Sequence, residues 1–225
     1  MDGSTWHRYR FVTERGSEPP FFLEPENPDD APQHFRDARF APLAHFVSAL
    51  DSGLQVRDAD AAAAEVRLAS VGVCIRPVRA ERFADDARAI FHVSLAAFRD
   101  NFLYSPIDEA EFLEMYVLVE QFVDPKIAFI AEAGGEAVGF VFALPDWSSA
   151  TSAPRTMIVK TLARLRDPAL SGLGAVLLER CRRGAFERGY VRGIHALMHD
   201  TNASVGLSAR FGSIIRGYTL FARPL

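Results

Sequence analysis

Two apolar runs rich in β-branched residues, 127–133 and 136–144, are separated by Gly134-Gly135, and no other stretch restricts the fold as much. Consecutive glycines supply positive φ at both centres of a tight turn, so the runs read as a β-hairpin. Downstream, 156–165 reads as a strand, 172–188 as an amphipathic helix stopped by Gly189, and 191–198 as a buried strand. A strand–helix–strand crossover returns the chain in its original direction. Joined to a hairpin, it demands a mixed sheet with helices on its faces.

The flanking residues extend that plan. Residues 73–78 alternate β-branched positions and close on Pro77, as a first strand does. Along 80–98, Phe83, Ala87, Ile90, Phe91 and Leu95 recur at helical spacing. Asp108 can cap a second helix running to about residue 122, with Glu111 three positions on. Residues 202–210 read as a short helix and 214–222 as the last strand. Ahead of them all, 58–69 is Ala-rich and reads as a connecting helix with an apolar face at Ala62, Val66 and Ala69. The first 57 residues differ: Pro19, Pro20, Pro25, Pro28, Pro32 and Pro42 interrupt them, leaving a strand at Phe21-Phe22-Leu23, a short helix and a strand over 44–50. The predicted organisation is therefore an N-terminal segment (1–57), a connecting helix (58–72) and a main domain (73–225).

Composition removes several functions. An apolar content of 49% in 225 residues can bury one good-sized core, or fill one full domain and part of another. Lys and Arg number 25 against 29 Asp and Glu, a net charge of −4 that gives no basic field for nucleic acid. No apolar run approaches the roughly 20 residues that span a bilayer. Residues 1–7 lack the basic and apolar regions of a secretory signal. A cytoplasmic protein with neither a nucleic-acid nor a membrane partner is expected. Cys74 and Cys181 are far apart and have no Cys or His at ligand spacing, so neither disulfides nor a metal site is expected.

Residues 161–165 lead into Ala169-Leu170-Ser171-Gly172-Leu173-Gly174-Ala175. With this segment, the order of elements over 73–225 resembles the GNAT N-acetyltransferase superfamily. The resemblance implies an α/β (α+β mixed) fold, a mixed and mostly antiparallel sheet flanked by helices. It also implies transfer of an acetyl or related acyl group from acetyl-CoA to the amine of a small molecule or peptide. The family turn runs Arg or Gln, two variable residues, Gly, one variable, then Gly or Ala. Gly172 and Gly174 fit it, while Ala169 stands at the Arg or Gln position and Leu170 where Gly is frequent. The physics is independent of the name: glycines admit close approach, and the first N–H groups of a helix have no internal partners. Ser171, Gly172, Leu173, Gly174 and Ala175 are thus expected at the coenzyme's diphosphate. By resemblance, Leu162, Ala163 and Arg164 pair their backbone with the pantetheine arm.

Farther on, Asn202, Ser204, Leu207 and Phe211-Gly212 resemble the closing motif of that family, where a Tyr four residues before the Gly protonates the leaving thiolate. Ser208 holds that position, and a hydroxyl is too weak an acid for the task. His199 is the candidate base, with Asn202 orienting its loop; the alternative is that His199 fills a hydrogen-bonded strand end. Asp146 is a second candidate base or a solvated turn residue, and His195 reads as a satisfied core histidine. Asp100 and Tyr104, in the loop 99–106, are expected to line the substrate mouth, or Tyr104 to serve packing.

Asn27 and Ala38-Arg39-Phe40 repeat, weakly, Asn202 and Ala209-Arg210-Phe211. Residues 1–57 are accordingly read as the tail of a degenerate first copy, as in tandem members of the superfamily. Its open sheet edge implies a homodimer or an intramolecular patch. The competing reading is a module that binds acyl-CoA without turning it over. A Rossmann site is disfavoured by the missing third Gly and the long link from strand to glycines, and a P-loop lacks its Gly-Lys-Ser/Thr.

Overall fold

Gly134 and Gly135 take φ of 59° and 88°, the paired left-handed conformations of a type I′ turn, and fold the two apolar runs into the hairpin their spacing predicts. The computed structural model describes residues 9–148 and 154–224; residues 1–7, read above for a targeting signal, lie outside them. Along the chain the elements are β1 (Phe11–Glu14), α1 (Ala31–Asp37), β2 (Ala41–Asp51), α2 (Ala59–Ser70), β3 (Val73–Pro77), α3 (Phe83–Phe98), α4 (Glu109–Glu120), β4 (Phe129–Ala133), β5 (Glu136–Pro145), β6 (Thr156–Arg164), α5 (Leu173–Glu187), β7 (Arg192–His199), α6 (Ala203–Ser208) and β8 (Gly212–Ala222).

The strands form one sheet in the order β1-β8-β2-β7-β6-β5-β4-β3. Every neighbouring pair is antiparallel except β6 and β7, the pair that the crossover through α5 makes parallel. The sheet is thus mixed and mostly antiparallel. On one face α2 and α5 bury Leu68, Leu173 and Leu177 against Phe129, Val141 and Val159. On the other, α3 and α4 bury Phe83, Ile90 and Phe112 against Ile130, Phe140 and Phe142. Asp108 caps α4, its carboxylate accepting from the Glu111 N–H at 2.9 Å.

Local readings of the N-terminal part are corrected. Phe21-Phe22-Leu23 is a turn, with Leu23 at φ 62° and the Glu24 N–H bonded to the Phe21 carbonyl. Proline on both sides denies a ladder its donors, and Phe21 instead plugs the core against Ile158, Ile194 and Ala196. The first strand lies earlier, at β1. In α2 the buried positions are Ala61 and Leu68, whereas Val66 is 74% exposed. The stripe is rotated because Ala64 packs at the start of α5, where only a small side chain fits: a Cβ on Gly172 would lie 2.9 Å from that of Ala64.

The strand that completes the centre of the sheet comes from the N-terminal segment. β2 pairs with β7 on one side and β8 on the other, so both its edges are satisfied inside the chain, and the edges of the sheet are the short strands β1 and β3. Where β2 ends, Asp51 accepts from Arg182 of α5 at 2.7 Å, both side chains being fully buried. The same guanidinium donates to Glu179 and to the carbonyls of Gly53 and Val56, and it lies 3.9 Å over the Phe211 ring. Removing one partner of such a pair strands a charge without solvent, so Asp51→Ala is expected to cost about 3–5 kcal/mol, read by urea unfolding; a loss below about 1 kcal/mol would show that the pair is not what fixes β2 to α5.

Candidate active site

β6 and β7 run side by side only from Thr156 and Arg192 to Val159 and His195. Beyond that point they part. β6 stays with β5, from the Thr161 and Phe142 pair to Arg164 and Gly139, while the end of β7 stays with β2 at Met198 and His199. A register shift between Phe142 and Ala143 leaves Lys160 as the extra residue on β6, a bulge that turns this strand outward at the fork. The opening is a cavity of about 490 Å³ that passes from one face of the sheet to the other. On the α5 face it meets Leu162, Leu178, Asn202, Leu207 and Ser208; on the α3 and α4 face it meets Phe98, Phe102, Met115, Tyr116 and Phe142.

The far end of the fork meets the start of α5. Gly172 adopts φ 83°, and no side chain caps the helix, so its first amides have no partner within the helix. A Cβ on Gly174 would sit 3.4 Å from Leu162, which places the first helical turn beside the strand that edges the cavity. Gly174 and Ala175 are half-buried and Ser171 is exposed. Arg67 of α2 donates to the carbonyls of Ala169 and Ser171. A cation thus stands beside the turn, supplied by a helix distant in sequence, where the chain itself has Ala169.

Two histidines border the cavity. His199 ends β7; its Nδ1 meets the Thr201 hydroxyl at 2.8 Å and Asp200 at 3.2 Å, and its ring contacts those of Phe46 and Phe102. His195 stands at the crotch of the fork, 4% exposed, with Nδ1 2.8 Å from the Ser208 Oγ. Its Nε2 is buried without a partner among the described residues, so it is not the satisfied core histidine of the sequence reading. Burial lowers this imidazole to about 4, with Arg182 acting in the same direction and Asp51 against it. His195 is neutral at pH 7. Nothing local marked its open nitrogen, since its partner Ser208 belongs to a separate element, the end of α6.

The remaining sequence candidates divide. Leu162 and Asn202 border the cavity, while Ala163 and Arg164 continue β6 away from it. Asp146 does not line it: its Oδ1 accepts from the Phe22 and Ser148 amides and from the Ser148 hydroxyl at 2.6 Å, tying down the N-terminal turn. Asp100 is half-exposed and paired with Arg166 at 2.7 Å, and Tyr104 is likewise outside the lining. Asn101 and Phe102 of the same loop occupy the mouth instead. Among the described residues, no group of His, Cys, Asp and Glu could hold a metal ion, and no helix is long and apolar enough to cross a membrane.

The parallel strand pair thus forks beside a glycine-bounded helix start. A family model described as the acetyltransferase (GNAT) family matches residues 88–212, more than half of the chain, and the chain belongs to this family. A stretch of 79 residues is 28% identical to the bacterial ceramide synthase of Caulobacter vibrioides, covering 35% of this chain and 21% of that protein. A GCN5-related N-acetyltransferase from Sphaerobacter thermophilus superposes with a TM-score of 0.61 at 15% identity, over 85% of this chain and 55% of that one. A GCN5-related glucosamine N-acetyltransferase region of a fungal multi-domain GH3 β-N-acetylglucosaminidase gives 0.62 at 11% identity, over 97% and 24%. L-PGS from Bacillus licheniformis gives 0.52 at 12%, over 88% and 66%. The superpositions show the fold. The chain spans about a fifth of the curated relative and about half of the Sphaerobacter protein.

A histidine held at about 4 when folded, and near 6.5 when unfolded, binds fewer protons in the native state across that interval. Stability is therefore expected to fall as pH drops from about 6.5 towards 4, by up to about 3 kcal/mol from this residue. His195→Gln, followed by chemical denaturation at several pH values, should flatten that slope; an unchanged slope would place the burden elsewhere.

Proposed function

We propose that this chain transfers an acetyl or related acyl group from coenzyme A to a primary amine. The observation that carries the reading is the fork, a gap between parallel strands whose inner end opens into a two-sided cavity and whose outer end meets the uncapped start of α5. Backbone at Leu162, Ala163 and Arg164 offers a strand edge to the pantetheine arm, and the amides of Leu173, Gly174 and Ala175 face the diphosphate. Ser171, Gly172 and Asn202 shape the two ends of that path. The thioester then sits near Val159 and His195, with the amine approaching from the α3 and α4 face.

In this scheme His199 takes the proton as the amine attacks the thioester carbon. The Ser208 hydroxyl finds its acceptor at His195 Nδ1, so the fewest buried groups are orphaned when Nε2 carries the ring proton. His195 is then a neutral donor for the oxygen or sulfur that gains charge as the carbon–sulfur bond breaks. Asp146, the other candidate base, lies outside the cavity lining with three donors on its Oδ1, and in this scheme it holds the N-terminal turn. Asp100 and Tyr104 act on the acceptor through the loop that holds Asn101 and Phe102.

The proteins this chain is similar to include one named a ceramide synthase and one named a glucosamine N-acetyltransferase region, which supports acyl transfer to nitrogen without selecting the acceptor. The N-terminal segment is part of the same proposal, as a remnant of a first copy. In support, α1, Ala38-Arg39-Phe40 and β2 repeat the plan of α6, Ala209-Arg210-Phe211 and β8, and the two strands lie side by side. A cytoplasmic setting, where acyl-CoA is made, suits two free thiols; a homodimer would use the short edges β1 and β3.

A second reading, a module that binds acyl-CoA without turnover, is favoured by Ala169 and by the packing of Ala64 and Arg67 on the turn. Thermal shift with acetyl-CoA and thiol release over an amine panel separate the two. Transfer is expected, with His199→Ala lowering kcat about a hundredfold and Gly174→Val raising KM for the donor roughly tenfold. Stabilisation without thiol release on any amine favours the module. A His199→Ala variant matching wild type at every pH removes the base.

A further inference from the structure

The turn that opens α5 is gripped by a helix that the family model does not reach, since α2 ends at Ser70 and the match begins at residue 88. Arg67, in the last turn of α2, donates to the carbonyls of Ala169 and Ser171. Ala64, one turn earlier on the same face, fills the space that a Cβ on Gly172 would need, and the Arg67 guanidinium lies 3.5 Å from that same point. Among the described residues Arg67 is paired with no carboxylate. Glu65 of the same helix is engaged by Arg180 and Arg183, and Asp167, in the turn itself, accepts from the Ala169 N–H at 2.8 Å.

A carbonyl and the N–H that follows it point in opposite directions across a trans peptide. With the Ser171 carbonyl drawn to Arg67, the Gly172 N–H is turned away from α2. Gly172 is left-handed and Leu173 begins the helix, a succession that aims neighbouring amides into one anion-binding concavity. The first amide bonded back is that of Val176, to the Gly172 carbonyl at 3.1 Å, so those of Gly172, Leu173, Gly174 and Ala175 stay open among the described residues. We propose that Arg67 is a positioning residue for the coenzyme's diphosphate. It fixes the peptide planes of the turn from the α2 side, and it brings to the positive end of α5 the cation that Ala169 cannot supply. The connecting helix is then part of the coenzyme site and not a spacer. This rests on the coenzyme placement of the proposed function, which the transferase and the binding module share, and not on turnover.

The test is binding of CoA and dephospho-CoA by calorimetry, and of pantetheine by ligand-observed NMR, to wild type, Arg67→Ala and Arg67→Lys. Arg67→Ala should weaken both nucleotides alike, roughly tenfold, and leave pantetheine, which has no phosphate, unchanged. Arg67→Lys keeps the charge but not the fork that reaches two carbonyls; it should weaken both nucleotides about threefold, and it reads the same question if the alanine variant does not fold. A loss shared by pantetheine marks general damage to the fold, and a loss confined to CoA puts Arg67 on the ribose 3′-phosphate. Either result overturns the assignment, as does wild-type affinity in either variant or a wild type that binds no CoA. Wild type that binds CoA and releases no thiol with any amine removes the transfer reaction and leaves Arg67 in its role.

Discussion

A guanidinium denied all contact with water must be answered by the protein on every side, and Arg182 is answered by parts of the chain that are far apart in sequence. Its carboxylates come from Asp51 and Glu179, two carbonyls come from the turn after β2, and an aromatic face comes from Phe211. Desolvating so many charges gains little net free energy by itself. What it supplies is position: α5 can occupy one place only relative to β2, β7 and the loop after α6. The glycine turn, the fork and the polar inner wall of the cavity all inherit their coordinates from that lock.

The histidine at the crotch shows the chemical side of the same constraint. Burial keeps His195 uncharged, Asp51 opposes it, and Arg182 adds to the effect of burial. A neutral imidazole bonded to a hydroxyl can donate or accept at its other nitrogen without bringing a full charge into an apolar site. Structural and chemical roles are thus served by one buried cluster.

How much of this is legible in sequence follows from the range of the interactions. The Gly134-Gly135 hairpin, the Asp108 cap and the crossover through α5 are written in residues a few positions apart, where turn chemistry and periodicity act. The pairing of β2 with β7 and β8 has no local trace, because its partners lie well over a hundred residues away. The apolar stripe of α2 was misplaced for a similar reason: the contact of Ala64 with Gly172 outweighs the larger Val66. Within the site, Leu162, Asn202 and His199 were visible as a pattern. His195 with Ser208 and Arg67 beside the turn required the fold, since each joins residues from different elements.

The placement of β2 between β7 and β8 also sets a timetable for the nascent chain. A strand finished by residue 51 acquires both of its neighbours only when residues 193–222 have left the ribosome. Until then its ladder groups and the buried carboxylate at its end have no partners, so this half of the sheet closes last although one of its interior strands is made early. Synthesis and folding of this sheet are therefore ordered differently, and β2 waits long in an unfinished, aggregation-exposed state.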